Sequence, residues 1–346
     1  MPAAGTMYRA AAALALQTLF FPQESKSGGV KLDSIHMQQV KDTVTVRDTI
    51  PAGTVRWASY SRTTLDGSLP PPVTRIRTPE FLTTLSLYAG AIVGLHLYQA
   101  QAWWRDDRGP FHFQEDWPVD LQVDKFGHFF GAYLLSYASR EALLESGFTD
   151  GDAHAWGAVM GLAYQLYVEV EDGFSTQWGF SPTDAYADIA GASYFYAQRF
   201  VPILQNFHEK WTYWPSPFLG SGSIPGQRRT IFDDYQGQSY WWTVDLWNLL
   251  PDRYKNVYPK WLQLAVGYAV MNDSRTPTDI PTTREVFIGF DYNLNHLIPK
   301  TNLPAVNWFI QTLDNLHFPA PAFQLAPERR FYILYPIRFH IGGSTF

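Results

Sequence analysis

The sequence predicts an α+β protein: a core of about four helices followed by an antiparallel β-rich region. Two observations predict the helical half. Pro79 to Trp104 is a long apolar stretch, and beyond it polar residues fall in pairs three or four apart: Asp124 with His128, Glu169 with Asp172, Asp184 with Asp188. Each pair lies on one face of its own helix. A third observation predicts the sheet: after Pro202 the apolar period changes from 3.6 to 2.

Composition sets the bounds. Of 346 residues, 46% are hydrophobic and 16% aromatic against 17% charged, with 13 Trp, 20 Tyr and 24 Phe. Such a chain buries a large core and keeps aromatic surface over, which favours contact with membrane lipid or a protein partner. A net charge of -6 argues against nucleic acid, whose phosphates need a basic face. Absence of cysteine excludes disulfides and thiolate metal sites but says nothing of the compartment.

Residues 1–25 read as a signal peptide. Arg9 precedes the run Ala10 to Phe21, in which Gln17 and Thr18 are the polar members. That is signal-core length and too short to span a bilayer; a buried N-terminal helix is the alternative. Residues 26–78 read as an extended linker region, with Thr43–Arg47 and Thr54–Trp57 as short strand candidates. Pro70, Pro71 and Pro72 then stiffen the chain before the helical domain, residues 79–203.

The first helix runs from Pro79 to Trp104, and Phe81 to Trp104 holds no charge apart from His96. Its length and the Trp103-Trp104-Arg105 ending meet the criteria for a membrane span. Thr83, Thr84, Ser86, Gln99 and Gln101 make it only moderately hydrophobic, and Phe126–Ser139 and His154–Val168 are nearer buried-helix length. The sequence therefore leaves open whether the core is embedded in a membrane or forms a soluble or peripheral bundle.

The next three helices carry the polar pairs. Gly157, Gly161, Gln165 and Glu169 recur every four residues, so a glycine groove admits a neighbouring helix and leads to an acidic end. Ser181-Pro182 marks a helix start, serine capping and proline at the first helical position. Asp124 is expected to cap the helix that bears His128.

Residues 204–346 read as the β-rich domain. Alternation is clear over Tyr240–Leu246, Leu262–Val270, Val286–Tyr292 and Phe331–Ile341, giving strands of about nine to eleven residues, with one short helix at Ala305–Leu316. Strand length and the terminal Phe346 suit an outer-membrane barrel, but four or five strands cannot close one alone. Either the N-terminal strands or an envelope protein partner completes it, or the sheet stays open with one face on the helices. Gly220 to Gly226 is a loop. No nucleophile elbow, phosphate loop or dinucleotide fingerprint is present.

The candidate site gathers Asp124, Lys125, His128, Glu169, Asp172, Ser181, Asp184 and Asp188. His128 with Glu169, Asp184 and Asp188 has the ligand types of a helix-bundle metal site suited to zinc, iron or manganese. In the plainer reading Lys125 and His128 neutralise buried carboxylates and fix helix register without chemistry. Glu171, His96 and His154 are expected to be ordinary surface or interfacial residues.

These residues resemble a known family. The pattern Asp124-Lys125-x-x-His128-Phe129, Glu169-x-x-Asp172, then Gly179-Phe180-Ser181-x-x-Asp184-x-x-x-Asp188-x-x-Gly191 is similar to the YfiM-type predicted bacterial periplasmic lipoproteins, a domain of unknown function. More distantly it resembles VanZ-like membrane proteins. Phe111-His112-Phe113 and Glu115-Asp116 also look like longer members. Two departures stand out: Val168 where some members have lysine, and no cysteine for a lipid anchor. The resemblance implies an envelope location, in the outer membrane or periplasm, and no established activity.

Two functions follow from the sequence. One is a non-enzymatic, membrane-associated envelope scaffold that needs no cofactor. The other is a hydrolase of an envelope lipid or glycan that uses one divalent metal ion.

Overall fold

A computed structural model describes residues 64–105, 108–221, 228–277, 279–338, 340–341 and 344–345. The expected signal segment, both early strand candidates, most of the Gly220–Gly226 loop and Phe346 lie outside the described residues.

Four long helices come first: α1 (Thr78–Gln99), α2 (Val123–Glu145), α3 (Asp150–Asp172) and α4 (Pro182–Phe200). Proline opens α1, and a π-helical turn, Ala100–Trp104, extends it. That turn seats the buried Trp104 against Tyr164 and Val168 of α3. The rest of α1 stays largely uncovered, with Leu82, Leu87, Val93 and Leu97 exposed. It is the one helix among the described residues long and apolar enough to cross a membrane.

Local signals explain the other starts. Thr149 caps α3, its hydroxyl accepting the Asp152 amide at 3.1 Å. Ser181 caps α4 as expected, accepting the Asp184 amide at 3.2 Å, with Pro182 following. The expectation for Asp124 fails. Asp120, Leu121 and Gln122 take left-handed backbone angles (φ 45°, 54° and 68°), so Gln122 is the cap residue and Asp124 sits in the first turn. This conformation costs roughly 1–2 kcal/mol per residue, and partners outside the helix hold it. The Asp120 carboxylate accepts the Ser274 amide at 2.5 Å and its hydroxyl at 2.9 Å, and the Tyr268 hydroxyl donates to the Leu121 carbonyl.

Small residues bring the helices together. A methyl carbon added at Gly161 would fall 2.5 Å from the backbone nitrogen of Ser136, and one at Gly191 would fall 2.1 Å from the carbonyl oxygen of Phe129. The glycine groove on α3 thus receives α2, and α4 closes on α2 from another side.

Six antiparallel strands follow in sequential order: β1 (Phe207–Tyr213), β2 (Gln238–Val244), β3 (Leu262–Met271), β4 (Thr283–Tyr292), β5 (Ala320–Ala326) and β6 (Arg330–Tyr335). Sequence alternation finds β2, β3 and β4, but it misses β1, whose His208, Glu209 and Lys210 mask the period, and β5, which contains Pro321. Only β3 and β4 reach the expected length, at 10 residues each; the others have six or seven. The last expected strand breaks at Pro336, which offers no amide to a ladder. A helix, α5 (Pro304–Leu313), precedes β5.

One end of the sheet packs on α2, where Val123 and Phe130 meet Tyr240 and Val270, with Trp211 and Tyr268 around them. Burying each such apolar side chain contributes about 1.5–3 kcal/mol. The opposite sheet face meets residues 311–317. His317 stacks on Trp241 with centroids 4.0 Å apart, and the fully buried Lys210 reaches Asp291 at 2.7 Å and Asp314 at 3.1 Å.

Candidate functional site

The alternating direction of α2, α3 and α4 sets two helix starts beside one helix end. Asp124, Lys125 and His128 occupy the first turns of α2, Glu169 and Asp172 the last turn of α3, and Asp184 and Asp188 the first turns of α4. Partial positive charge at a helix start favours an ionised carboxylate, as for Asp124 and Asp184. The negative end of α3 opposes ionisation of Glu169 and Asp172.

Lys125 is the hub. Its Nζ lies 2.6 Å from Asp116 Oδ1, 2.6 Å from Asp184 Oδ1 and 3.0 Å from Asp124 Oδ2. His128 stands beside it. Its Nδ1 is 3.1 Å from Asp188 Oδ1 and 3.6 Å from Glu169 Oε1, and its Nε2 is 3.7 Å from Asp184 Oδ1 and 3.8 Å from Asp124 Oδ1. Polar neighbours complete the shell. The Tyr235 hydroxyl donates to Asp124 Oδ1 at 2.6 Å, Gln165 Nε2 donates to Asp188 Oδ1 at 3.1 Å, and the Ser181 amide donates to Glu169 Oε2 at 3.1 Å. The Ser181 hydroxyl donates to Asp116 Oδ1 at 2.7 Å.

Seven of the eight residues expected from the sequence therefore share one interior. Asp172 stands apart at its edge, accepting the Trp104 indole N–H at 2.6 Å and making no ion pair among the described residues. Asp116 and Tyr235 join the site without being expected from the sequence pattern. Asp116 has a weak signal in the acidic pair Glu115-Asp116, whereas Tyr235 arrives from 111 positions away with no local signal.

Burial sorts the titrating groups. It pushes Glu169 up to about 9 against the lowering by His128, and Asp184 up to about 7. Asp172 also rises to about 7, mainly through burial. Burial acts on Asp124 too, but Lys125 and His128 hold it below the usual carboxylate range. For His128 burial disfavours the cation, yet Asp184, Asp188 and Asp124 outweigh it and raise the imidazole well above its ordinary value. At neutral pH the arrangement is a protonated imidazole and an ammonium facing several carboxylates, with Glu169 carrying a proton.

Two overlapping trios have the donor types of a cation site: Asp124, His128 and Asp184, and His128, Glu169 and Asp188, their ligand atoms within 4.8 Å of one another. Glu169 Oε1 and Asp188 Oδ2 are buried and accept no hydrogen bond among the described residues.

A second buried network lies farther along the bundle, and it corrects the expectation for His154. That side chain is buried, stacks on Phe195 at 5.2 Å and meets Asp150 at 3.3 Å. Asp150 in turn binds Arg140 at 2.6 Å and Arg199 at 2.6 Å. Glu171 pairs with Arg108 at 2.5 Å, and the half-buried His96 meets the Tyr167 hydroxyl at 2.9 Å, as interfacial residues do.

Residues 111–198 match a family described as predicted periplasmic lipoprotein (DUF2279). The matched stretch, about a quarter of the chain, holds Asp116 and all eight residues of the expected site. That description supports a periplasmic, cell-envelope location. Neither the curated proteins nor the solved structures contain a match to the chain.

Proposed function

We propose that this chain is a non-catalytic, membrane-associated scaffold of the bacterial cell envelope, with the His128–Lys125 cluster as the lock that sets the register of three helices. The observation that carries the reading is the use of Lys125. Its ammonium touches carboxylates from α2, from α4 and from the segment before α2, and so supplies the positive charge that a bound cation would otherwise bring. A buried network of this kind fixes one arrangement of helices at some cost in desolvation.

Membrane association draws support from the outward surfaces. Besides α1, helix α4 turns Tyr186, Ile189, Tyr196 and Phe200 outward, while its charged Asp184 and Asp188 face in. Apolar outside and ionisable inside is the order of a protein bordered by lipid. In this reading α1 is the anchor, and the resemblance to the YfiM-type family and to VanZ-like membrane proteins points to the same surroundings. Fractionation of bacteria expressing the full chain tests the location: recovery in the washed membrane pellet is expected, and recovery in the cytosolic fraction overturns it.

A second reading has its own observation. Glu169 Oε1 and Asp188 Oδ2 accept no hydrogen bond among the described residues, so a divalent ion held there would make the site a metal-dependent hydrolase of an envelope lipid or glycan. It requires His128 to lose the proton that its neighbours favour.

A further inference from the structure

Across β3 to β6 one face of the sheet is buried and the other stands open. The buried face, on the side of Trp241, holds Ala265, Phe287, Ala322 and Tyr332, with Gln263, Asp291 and Gln324 among them. On the other face Val266, Ile288, Phe323 and Phe331 stand in register across four strands, 54%, 47%, 36% and 48% exposed. Leu264 and Phe290 form the next row, also exposed. A sheet with one face in water puts polar residues there. Here the open face is apolar, as on strands that face lipid.

This surface continues an interface the chain already makes. At the β1–β2 end the same face is covered, Trp242 packing on Phe129 at 5.6 Å and on Tyr194 at 5.3 Å between centroids. From Val266 on β3 the cover of these rows stops among the described residues, and they run on into the open.

Both ends of the patch carry aromatic and basic side chains. At one end Trp261 and Tyr292 lie 6.2 Å apart beside the exposed Lys260. At the other, Arg284 Nε donates to the Tyr268 hydroxyl at 3.2 Å. Between Arg284 and Tyr292 the outward positions of β4 are Val286, Ile288 and Phe290, without charge. An uncharged field with basic, aromatic margins complements acyl chains bordered by phosphate headgroups.

We propose that the outer face of β3–β6 docks into the surface of an anionic phospholipid bilayer, its apolar rows among the acyl chains and Arg284 and Lys260 at the headgroups. The proposal rests on membrane association of the chain and adds the surface that makes contact.

The chain has no cysteine, so a single introduced one gives a unique label. The full chain is prepared as Val266→Cys, Ile288→Cys and, on α1, Val93→Cys, each carrying a polarity-sensitive fluorophore. Each is mixed with phosphatidylethanolamine–phosphatidylglycerol vesicles whose acyl chains are brominated. The labels at 266 and 288 are expected to shift to the blue, to lose half or more of their emission to brominated lipid, and to resist aqueous iodide. Quenching by lipid at 93 with iodide-accessible labels at 266 and 288 would overturn the proposal and leave membrane association standing. Protection at 266 and 288 from both quenchers would overturn it in favour of a protein covering the face. No vesicle binding by any variant would remove both readings together.

Discussion

Lys125 Nζ and Asp184 Oδ1 lie 2.6 Å apart, joining the first turn of α2 to the first turn of α4. The lysine side chain is only 8% exposed, so its charge is compensated by protein groups and little by water. Removing one member of such a pair strands the other.

Lys125→Met should therefore destabilise the protein by roughly 3–5 kcal/mol, because three carboxylates lose their cation. Thermal melting checks it. Adding Asp184→Asn to that variant should recover part of the loss, since the stranded charge is gone. Unchanged melting in Lys125→Met would show that the ammonium is solvated and that the cluster is not held as described.

Stability should fall as pH rises from about 5 to about 9. Glu169, Asp172 and Asp184 have folded values raised above their ordinary ones, so their contribution is present below the unfolded value and lost as pH rises toward about 7 for the aspartates and about 9 for Glu169. His128, also raised, adds to the loss above its ordinary value of 6.5. Asp124 has the opposite sign: its depressed value gives stability that is lost as pH falls below 3.8. Melting temperature should thus be highest near pH 4–5, and Glu169→Gln should flatten the alkaline decline. A melting temperature that rises between pH 6 and pH 9 would contradict these assignments.

Glycines of the bundle should separate into two kinds. At Gly191 an added methyl carbon meets the Phe129 carbonyl oxygen at 2.1 Å, so Gly191→Ala must push α4 off α2 and cost about 1–3 kcal/mol or more. At Gly151, in the first turn of α3, the space is open, and Gly151→Ala should be neutral or stabilise by up to about 1 kcal/mol. Equal melting shifts in the two variants would show that α2 and α4 are not in close contact.

The helices and most of the cluster are legible in the sequence because their information is local. Polar residues three and four apart within an apolar stretch name both the helix and the face, and His128, Glu169, Asp184 and Asp188 do meet on those faces. What the chain brings from a distance leaves no periodic trace. Tyr235 reaches Asp124 from the turn before β2, and Asp120 finds Ser274 beyond β3, so neither pairing is written in the neighbours of either residue. The sheet shows a third limit. Alternation along β3 and β4 reveals two faces but not which one is inside; contacts from other parts of the chain, such as Trp241 on Phe287 and Lys210 on Asp291, decide it.

Protein cations, Lys125 and His128, balance the carboxylates of the cluster. Elemental analysis of the full chain, purified without chelator, tests it most directly. Zinc, iron and manganese are expected far below one equivalent. A near-stoichiometric metal that disappears when Asp184→Asn and Asp188→Asn are combined would contradict it and make the hydrolase the better reading.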